Sequence, residues 1–583
     1  ITFSNGNNVA VFATNVAAAS GAEPITITSG TGRDEFDLSR LGKAAILTSG
    51  AGDDNIIVGI GDYVINSDEG DDIVDFGIYL NASDIFDAGL GYDEIILTDN
   101  NDDVSDLDGI RNVELVTLEN SATSIKTVDN LVAGGATLTV NAAALTGSNS
   151  LNWDGSAETD GAFNITGSGQ NDTIVGGAGS DTVTAGAGND TIEGNAGEDT
   201  FVLGTNLTSA DTIDGGEGAD DLQFTDSGLA TSDLDRVTNI ETVTLGDAAT
   251  SVTTKDSLVA GGQTLTVSAT NLSGTNSLIW DGSAEADGSF NITGSDQADT
   301  VTGGAGADVL SGGAGADTLT AGSGDDIISG GADADTIILG GNLTSADIID
   351  GGAGSDELRF TDSNNDTDDL DGVTNIETVT LGDAATNITT ADTLLLVGQT
   401  LTVTAAALAG SNSLTWDGSA ETDGAFNITG SDQADIITGG ARGDTIDGGD
   451  GEDVLRESGY KEFPAVIPRW GVAGGDVYGN SPGMEALGDI KQLQHEQLRK
   501  AQGIDYQTKP PLQVPSYLKN RDVDSLPGGV TFIDGQQGKI ETAFNVNLNL
   551  QHLLMDIQDV RGRINGSFYA DLFLMLANAT DTR

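Results

Sequence analysis

Residues 303–338 read GGAGADVLS, GGAGADTLT, AGSGDDIIS, GGADADTII: one nine-residue phrase, Gly-Gly-x-Gly-x-Asp-x-U-x with U apolar, written four times without a gap. A period this short constrains the fold strongly. Each unit supplies one apolar residue to a core, so a core arises only if units stack on one another. The glycines allow turn angles that residues with a Cβ resist. The aspartate places a carboxylate at the end of the turn, and U falls in a short strand with its side chain inward. In these four units Leu310, Leu319, Ile328 and Ile337 are the expected core stack.

A longer repeat encloses the nonapeptides. Thr137-Leu-Thr-Val recurs at Thr264 and Thr400, and WDGSAETDGAFNITGS from Trp153 nearly recurs at Trp280 and returns at Trp416. The two spacings, 127 and 136 residues, differ by nine, so one nonapeptide is the unit of length change. The phrase RNVELVTLENSATSIKTVDNLVAGGATLTV (111–140) matches TNIETVTLGDAATSVTTKDSLVAGGQTLTV (238–267), which extends the pattern toward the start. The chain divides into a divergent repeat at 1–136, long repeats at 137–263 and 264–399, a shortened repeat at 400–459, and a tail at 460–583. Thr, Val and Ile dominate the stretches between nonapeptides and alternate with polar residues, which predicts short strands there. The expected fold is mainly β, a parallel β-roll or β-solenoid, followed by a mainly α-helical fragment. Trp153, Trp280 and Trp416 read as core or corner residues.

The formal net charge is −70, with 92 Asp and Glu against 22 Lys and Arg. That balance excludes nucleic-acid binding through the acidic region and suits hard cations. There is no cysteine, so disulfides and thiolate metal sites are excluded. No apolar run is long enough to span a membrane. Calcium takes six to eight oxygens from carboxylates and carbonyls at about 2.3–2.6 Å, more than one turn can supply but within reach of two stacked turns. The candidate ligands are Gly177, Gly179, Asp181, Gly186, Gly188, Asp190, Gly197 and Asp199 in the second repeat. In the third they are Gly304, Gly306, Asp308, Gly313, Gly315, Asp317, Gly322, Gly324, Asp326 and Asp335, and in the fourth Asp444, Gly449, Gly451 and Asp453. Asp333 stands where a third glycine belongs, Arg442 interrupts GGARGDTID, and Gln297 replaces a glycine before Asp299, which makes weaker sites of those units. Asp54 and Asp93 sit in isolated, weaker turns. Without metal, repulsion along the aspartate column is expected to oppose folding.

The nonapeptide array resembles the hemolysin-type calcium-binding repeats of RTX proteins. The resemblance implies a β-roll that binds Ca2+ between neighbouring turns on one side of the roll. It also implies a protein exported to the cell surface or beyond.

Composition changes near residue 459. Seven of eight prolines, all three methionines and both histidines follow residue 460. Residues 1–460 hold 78 acids and 10 bases, and the tail 14 and 12. Ser481-Pro482 reads as a helix start, with Met484, Leu487, Ile490 and Leu493 at helical spacing. Lys509 to Pro515 reads as a rigid extended linker. Phe544, Leu548, Leu553, Ile557, Val560, Ile564 and Phe568 mark a long amphipathic helix. His495 and His552 lack a partner pattern and read as packing or surface residues. The tail resembles part of the portal (head-to-tail connecting) proteins of short-tailed phages. The resemblance rests on YGNSPGMEALGD (478–489), PPLQVP (510–515), Pro527-Gly-Gly and RINGSFYADLFLML (563–576). It implies a ring-forming, oligomeric component of a virion.

No nucleophile elbow, phosphate loop or paired-histidine metal motif occurs, so an enzyme is not expected. The favoured expectation is a calcium-binding extracellular protein, structural or adhesive, of S-layer or adhesin type. Its partners would be cell-surface polysaccharide or copies of itself. Two alternatives stand beside it: a virion component carrying an acidic β-array, and an artefactual joining of two reading frames. The opening Ile1, with no leader behind it, reads as the edge of a longer chain.

Overall fold

The computed structural model describes residues 1–12, 24–99, 104–226, 228, 232–362, 367–451 and 453–456. In the tail it describes 493, 512–515, 530–533, 541–542, 555 and 557–561. Contacts divide the chain into two units, Ile1–Gly459 and Tyr460–Arg583.

The first unit is a parallel β-solenoid. Each strand pairs not with the next strand but with the one after it, so two ladders grow side by side. One ladder forms an 18-stranded sheet from Val9–Val11 to Val373–Thr374 and resumes as a 4-stranded sheet from Thr386–Thr389. The facing ladder forms sheets of five, six and ten strands. Every pairing among the described residues of this unit is parallel and nearly in register, as stacking of like residues requires. Ile292, Leu310, Ile328 and Ile349 lie over one another in the first ladder. Val301, Leu319, Ile337 and Leu358 do so in the second. All eight are buried.

Here the structure corrects the single stack read from the sequence. Successive nonapeptides alternate between the two sheets, so Leu310 and Ile328 belong to one stack and Leu319 and Ile337 to the other. One nonapeptide is half a turn, and a full turn in these blocks is 18 residues.

The nine-residue difference between long repeats therefore has a geometric effect. Thr137–Asn141 and Thr264–Ser268 lie in the 18-stranded sheet. The equivalent Thr400–Thr404 lies in the opposite, ten-stranded sheet. The extra nonapeptide of the third repeat carries the fourth repeat half a turn round the axis. The ladder breaks show the same shift. They fall on the second ladder between Ile110–Arg111 and Thr123–Lys126, and again between Val237–Thr238 and Thr250–Thr253. The third falls on the first ladder, between Val373–Thr374 and Thr386–Thr389. Beside each break an asparagine takes a left-handed turn: Asn112, Asn239 and Asn375, at φ +56°, +52° and +51°.

Trp153, Trp280 and Trp416 are fully buried, each edge-on to a phenylalanine (Phe163, Phe290, Phe426) with ring centroids 5.6–5.7 Å apart. These pairs thicken the core where there is no nonapeptide.

In the tail, Leu512–Pro515 is extended as expected, but as a paired strand and not as a linker. It pairs in parallel with Val530–Ile533 and antiparallel with Glu541–Thr542. Leu493, Met555 and residues 557–561 are helical, and Ile557 and Val560 are buried. The Ser481–Pro482 helix start, both histidines and the remaining positions of the two expected helices lie outside the described residues. Among the described residues no helix is long and apolar enough to cross a membrane.

Candidate metal centre

The aspartate of each nonapeptide is the residue just before a strand, and the stacking of strands buries it. Asp181, Asp190, Asp199, Asp308, Asp317, Asp326 and Asp335 are all at most 2% exposed. Each Oδ1 accepts the backbone N–H of the equivalent residue one turn earlier. Thus Asp181 N–H donates to Asp199 and Asp172 N–H to Asp190, at 2.7 and 2.8 Å. Asp308 N–H donates to Asp326 and Asp317 N–H to Asp335, both at 2.8 Å. The result is carboxylate columns on both edges of the roll, not on one side as expected. Asp181, Asp199, Asp308 and Asp326 stand with the first ladder, and Asp190, Asp317 and Asp335 with the second. Asp444 and Asp453 take the same bond, from Phe426 at 2.9 Å and Asp435 at 3.0 Å, and are only partly buried.

The second carboxylate oxygen distinguishes the turns. In the leading turns it is satisfied locally. Gly177 N–H donates to Asp181 Oδ2 and Gly304 N–H to Asp308 Oδ2, both at 2.7 Å. Ser295 N–H donates to Asp299 Oδ2 at 2.6 Å, in the unit where Gln297 replaces glycine. In the following turns, Oδ2 of Asp199, Asp317 and Asp335 is buried with no partner, and so is Oδ2 of Asp444, which stands in the leading turn of the fourth repeat. A buried carboxylate oxygen without a donor is costly, and a cation is the partner that relieves it.

The glycines bring the turns close enough for such a site. Gly186, Gly188, Gly197, Gly313, Gly315, Gly322, Gly324, Gly449 and Gly451 all have positive φ. At Gly322 (φ +107°) a Cβ would lie 1.9 Å from the Gly304 carbonyl oxygen of the turn below. Gly179 and Gly306 are held by contact instead, with a Cβ placed 2.1 and 2.0 Å from the carbonyls of Gly161 and Gly288. Asp333 adopts φ +76° in the glycine position, a conformation aspartate tolerates better than most residues. Carbonyls and carboxylates on successive turns are the donor set that Ca2+ takes, so the residues fit that ion.

Burial pushes the carboxyls of Asp190, Asp199 and Asp317 up to about 7, and neighbouring carboxylates of the column add to this. Asp326 and Asp335 are pushed up to about 6 for the same reasons, and Asp181 to about 6 by burial with Glu158 as the neighbouring carboxylate. Burial is the larger cause throughout. The barrier to a metal-free roll is thus desolvation first, with the mutual repulsion expected from the sequence second.

The first repeat carries more of the carboxylate column than its sequence suggests. Asp54 and Asp93 are not isolated. N–H to carboxylate bonds of 2.7–2.8 Å link Asp34, Asp54, Asp72, Asp93 and finally Glu114. Oδ2 of Asp54, Asp72 and Asp93 is unpartnered, and burial pushes Asp72 up to about 7. Glutamate closes two other columns: Asp220 N–H donates to Glu241 and Asp356 N–H to Glu377, both at 2.9 Å. The usable signal was an aspartate just before each strand, at spacings of 18 to 21 residues. Arg442 does not point at Asp444. Its Nε donates to the Thr422 carbonyl at 2.9 Å and its guanidinium lies 3.8 Å from Asp423.

Comparison with known proteins separates the two parts. Residues 166–201, 207–223, 291–319, 311–342, 343–367 and 429–456 match the RTX calcium-binding nonapeptide repeat. Residues 445–583 match the bacteriophage head to tail connecting protein family, overlapping the last repeat match over 445–456. A segment is 64% identical over 129 residues to the "Probable portal protein" of Bordetella phage BPP-1, covering 22% of this chain and 23% of that protein. It is 54% identical over 133 residues to the "Portal protein" of Salmonella phage epsilon15, covering 22% and 24%. The chain thus spans about a quarter of the length of these curated relatives. It carries RTX calcium-binding nonapeptide repeats in its acidic part and a portal-related segment of the head-to-tail connecting family at its end.

Proposed function

We propose that the acidic unit is a calcium-hardened rod: an extracellular, RTX-type structural or adhesive element that becomes rigid when Ca2+ enters its turns. The observation that carries this reading is the row of buried carboxylate oxygens without partners, Oδ2 of Asp199, Asp317 and Asp335 among them, stacked against glycine turns. A bound Ca2+ supplies the positive charge these oxygens lack. The chain's own contribution is to hold them in line, through the N–H to Oδ1 bonds from turn to turn. Metal binding only the folded roll raises its stability by RT ln(1 + [Ca]/Kd) per site, about 2.7 kcal/mol at a hundredfold excess over Kd. Repeated over many turns, that term outweighs a core of one apolar residue per half-turn. The unit is a scaffold and not a catalyst, and it meets polysaccharide or other copies of itself along its flanks. Circular dichroism of the full chain tests this. Parallel-β signal should grow on titrating Ca2+ into chelated protein, and an identical spectrum in chelator and in millimolar calcium would sink the proposal.

A second reading has its own support in the match over residues 445–583 and the two phage relatives. In it the tail docks into, or derives from, a virion portal and the acidic array is an appendage. Ring-shaped oligomers of the full chain in electron micrographs would favour this reading over a free rod.

A further inference from the structure

We propose that Asp256, Glu285 and Asp287 form a divalent-cation site separate from the nonapeptide turns. One carboxylate oxygen from each lies within 4.8 Å of the others. Asp256 and Asp287 are exposed, whereas Glu285 is 1% exposed. Glu285 Oε1 is saturated: the N–H groups of Ala286, Asp287 and Gly288 donate to it at 3.2, 3.3 and 2.9 Å. Oε2 of the same carboxylate is buried with no partner at all. Backbone donors therefore fix the side chain through Oε1 and leave the carboxylate's second oxygen without a donor. Three acidic oxygens, with water on the exposed side, suit a hard ion such as Ca2+.

The internal repeats supply an independent comparison. The same three residues recur as Asp129, Glu158 and Asp160, and as Asp392, Glu421 and Asp423. In the last of these copies the chain supplies its own cation. Arg442 bonds the Thr422 carbonyl and lies beside Asp423. By repeat alignment the residues equivalent to Arg442 are Gly179 and Gly306, which carry no charge. In the last copy and the first, Oε2 also receives a backbone donor, Leu395 N–H at 3.2 Å and Val132 N–H at 3.3 Å. The middle copy has neither the guanidinium nor the donor. It is where an external cation is most needed.

Manganese(II), an oxygen-seeking ion with an anomalous signal, is the probe. Crystals of the full chain soaked in Mn2+ should show an anomalous peak among Asp256, Glu285 and Asp287 and none beside Asp423. In solution, counting bound Mn2+ by electron paramagnetic resonance should show the exposed double variant D256N/D287N losing one ion. Peaks confined to the nonapeptide turns, or a count unchanged in that variant, would overturn the proposal.

Discussion

Two kinds of turn alternate along the solenoid and are stabilised in different ways. In the nonapeptide turns around Leu310 and Leu319, each half-turn buries one aliphatic side chain and one aspartate. In the turns around Trp280, the core is a Trp–Phe pair with Leu265, Val267, Leu272 and Leu278, all buried. Asp247 in that region lies at the surface, and the hydroxyl and amide groups of Ser273 and Asn276 hold it below the usual carboxylate range. The first kind of turn spends most of its apolar gain on desolvating carboxylates, and the second has an ordinary core. Metal dependence should therefore be regional, strongest along the carboxylate columns. That contrast can be broken by experiment.

The largest effect should follow chelation. Amide hydrogen exchange across 172–220 and 299–356 should accelerate by orders of magnitude when calcium is removed, while amides around Trp280 and Phe290 keep more of their protection. Uniform acceleration along the whole roll would show that the two kinds of turn unfold as one unit. Next in size is Trp280→Ala. Loss of a fully buried indole edge-on to Phe290 should destabilise by about 3–5 kcal/mol. The loss should be the same with calcium or chelator, as judged by denaturant midpoints.

Asp317→Asn should change sign with conditions. The variant keeps an acceptor for the Asp299 N–H, now 2.7 Å from Asp317 Oδ1, but removes the charge. In calcium a ligand is lost, at a cost on the order of 1–3 kcal/mol. In chelator at pH 8 the variant should be more stable than the parent, because no ionised carboxylate is left buried there. The same reasoning fixes the pH response. Asp199 and Asp317 titrate near 7 in the folded roll, and Asp181, Asp326 and Asp335 near 6, all above the ordinary 3.8. A raised carboxyl pKa means the fold prefers the protonated form. That stability is fully present below about pH 4 and lost as pH rises through 6 to 7. Chelated protein should thus melt higher at pH 5 than at pH 7.5. With calcium present, acid should erode the metal's contribution over the same interval, since protons and Ca2+ compete for one set of oxygens.

Much of this was legible in the sequence, because the glycine and aspartate offsets carry the turn chemistry directly. What was hidden has physical causes. A nine-residue sequence period is half the structural turn, so a linear reading places Leu310 and Leu319 in one stack when they face each other across the core. The carboxylate column from Asp34 to Glu114 is obscured because its spacing drifts with the loops between strands. The free oxygen of Glu285 cannot be read from the phrase WDGSAE, since it depends on which backbone N–H groups reach the side chain.

The smallest expected effect on stability accompanies the largest on geometry. Deleting residues 312–320 removes one nonapeptide, with Leu319 and Asp317 as its only buried apolar and acidic groups beyond the small ones. In a stacked array, stability is close to a sum of repeat and neighbour terms, so losing one unit among many should shift the melting temperature by only a few degrees. The remaining strands, however, must pair one half-turn out of phase with the parent. Thr400–Thr404 should leave the ten-stranded sheet and join the ladder that holds Thr264–Ser268, bringing the third ladder break onto the same side as the first two. A crystal structure of the deletion decides it. If Thr400–Thr404 stays in its present sheet, the nonapeptide is not an interchangeable half-turn, and the equivalence drawn between the long repeats fails with it.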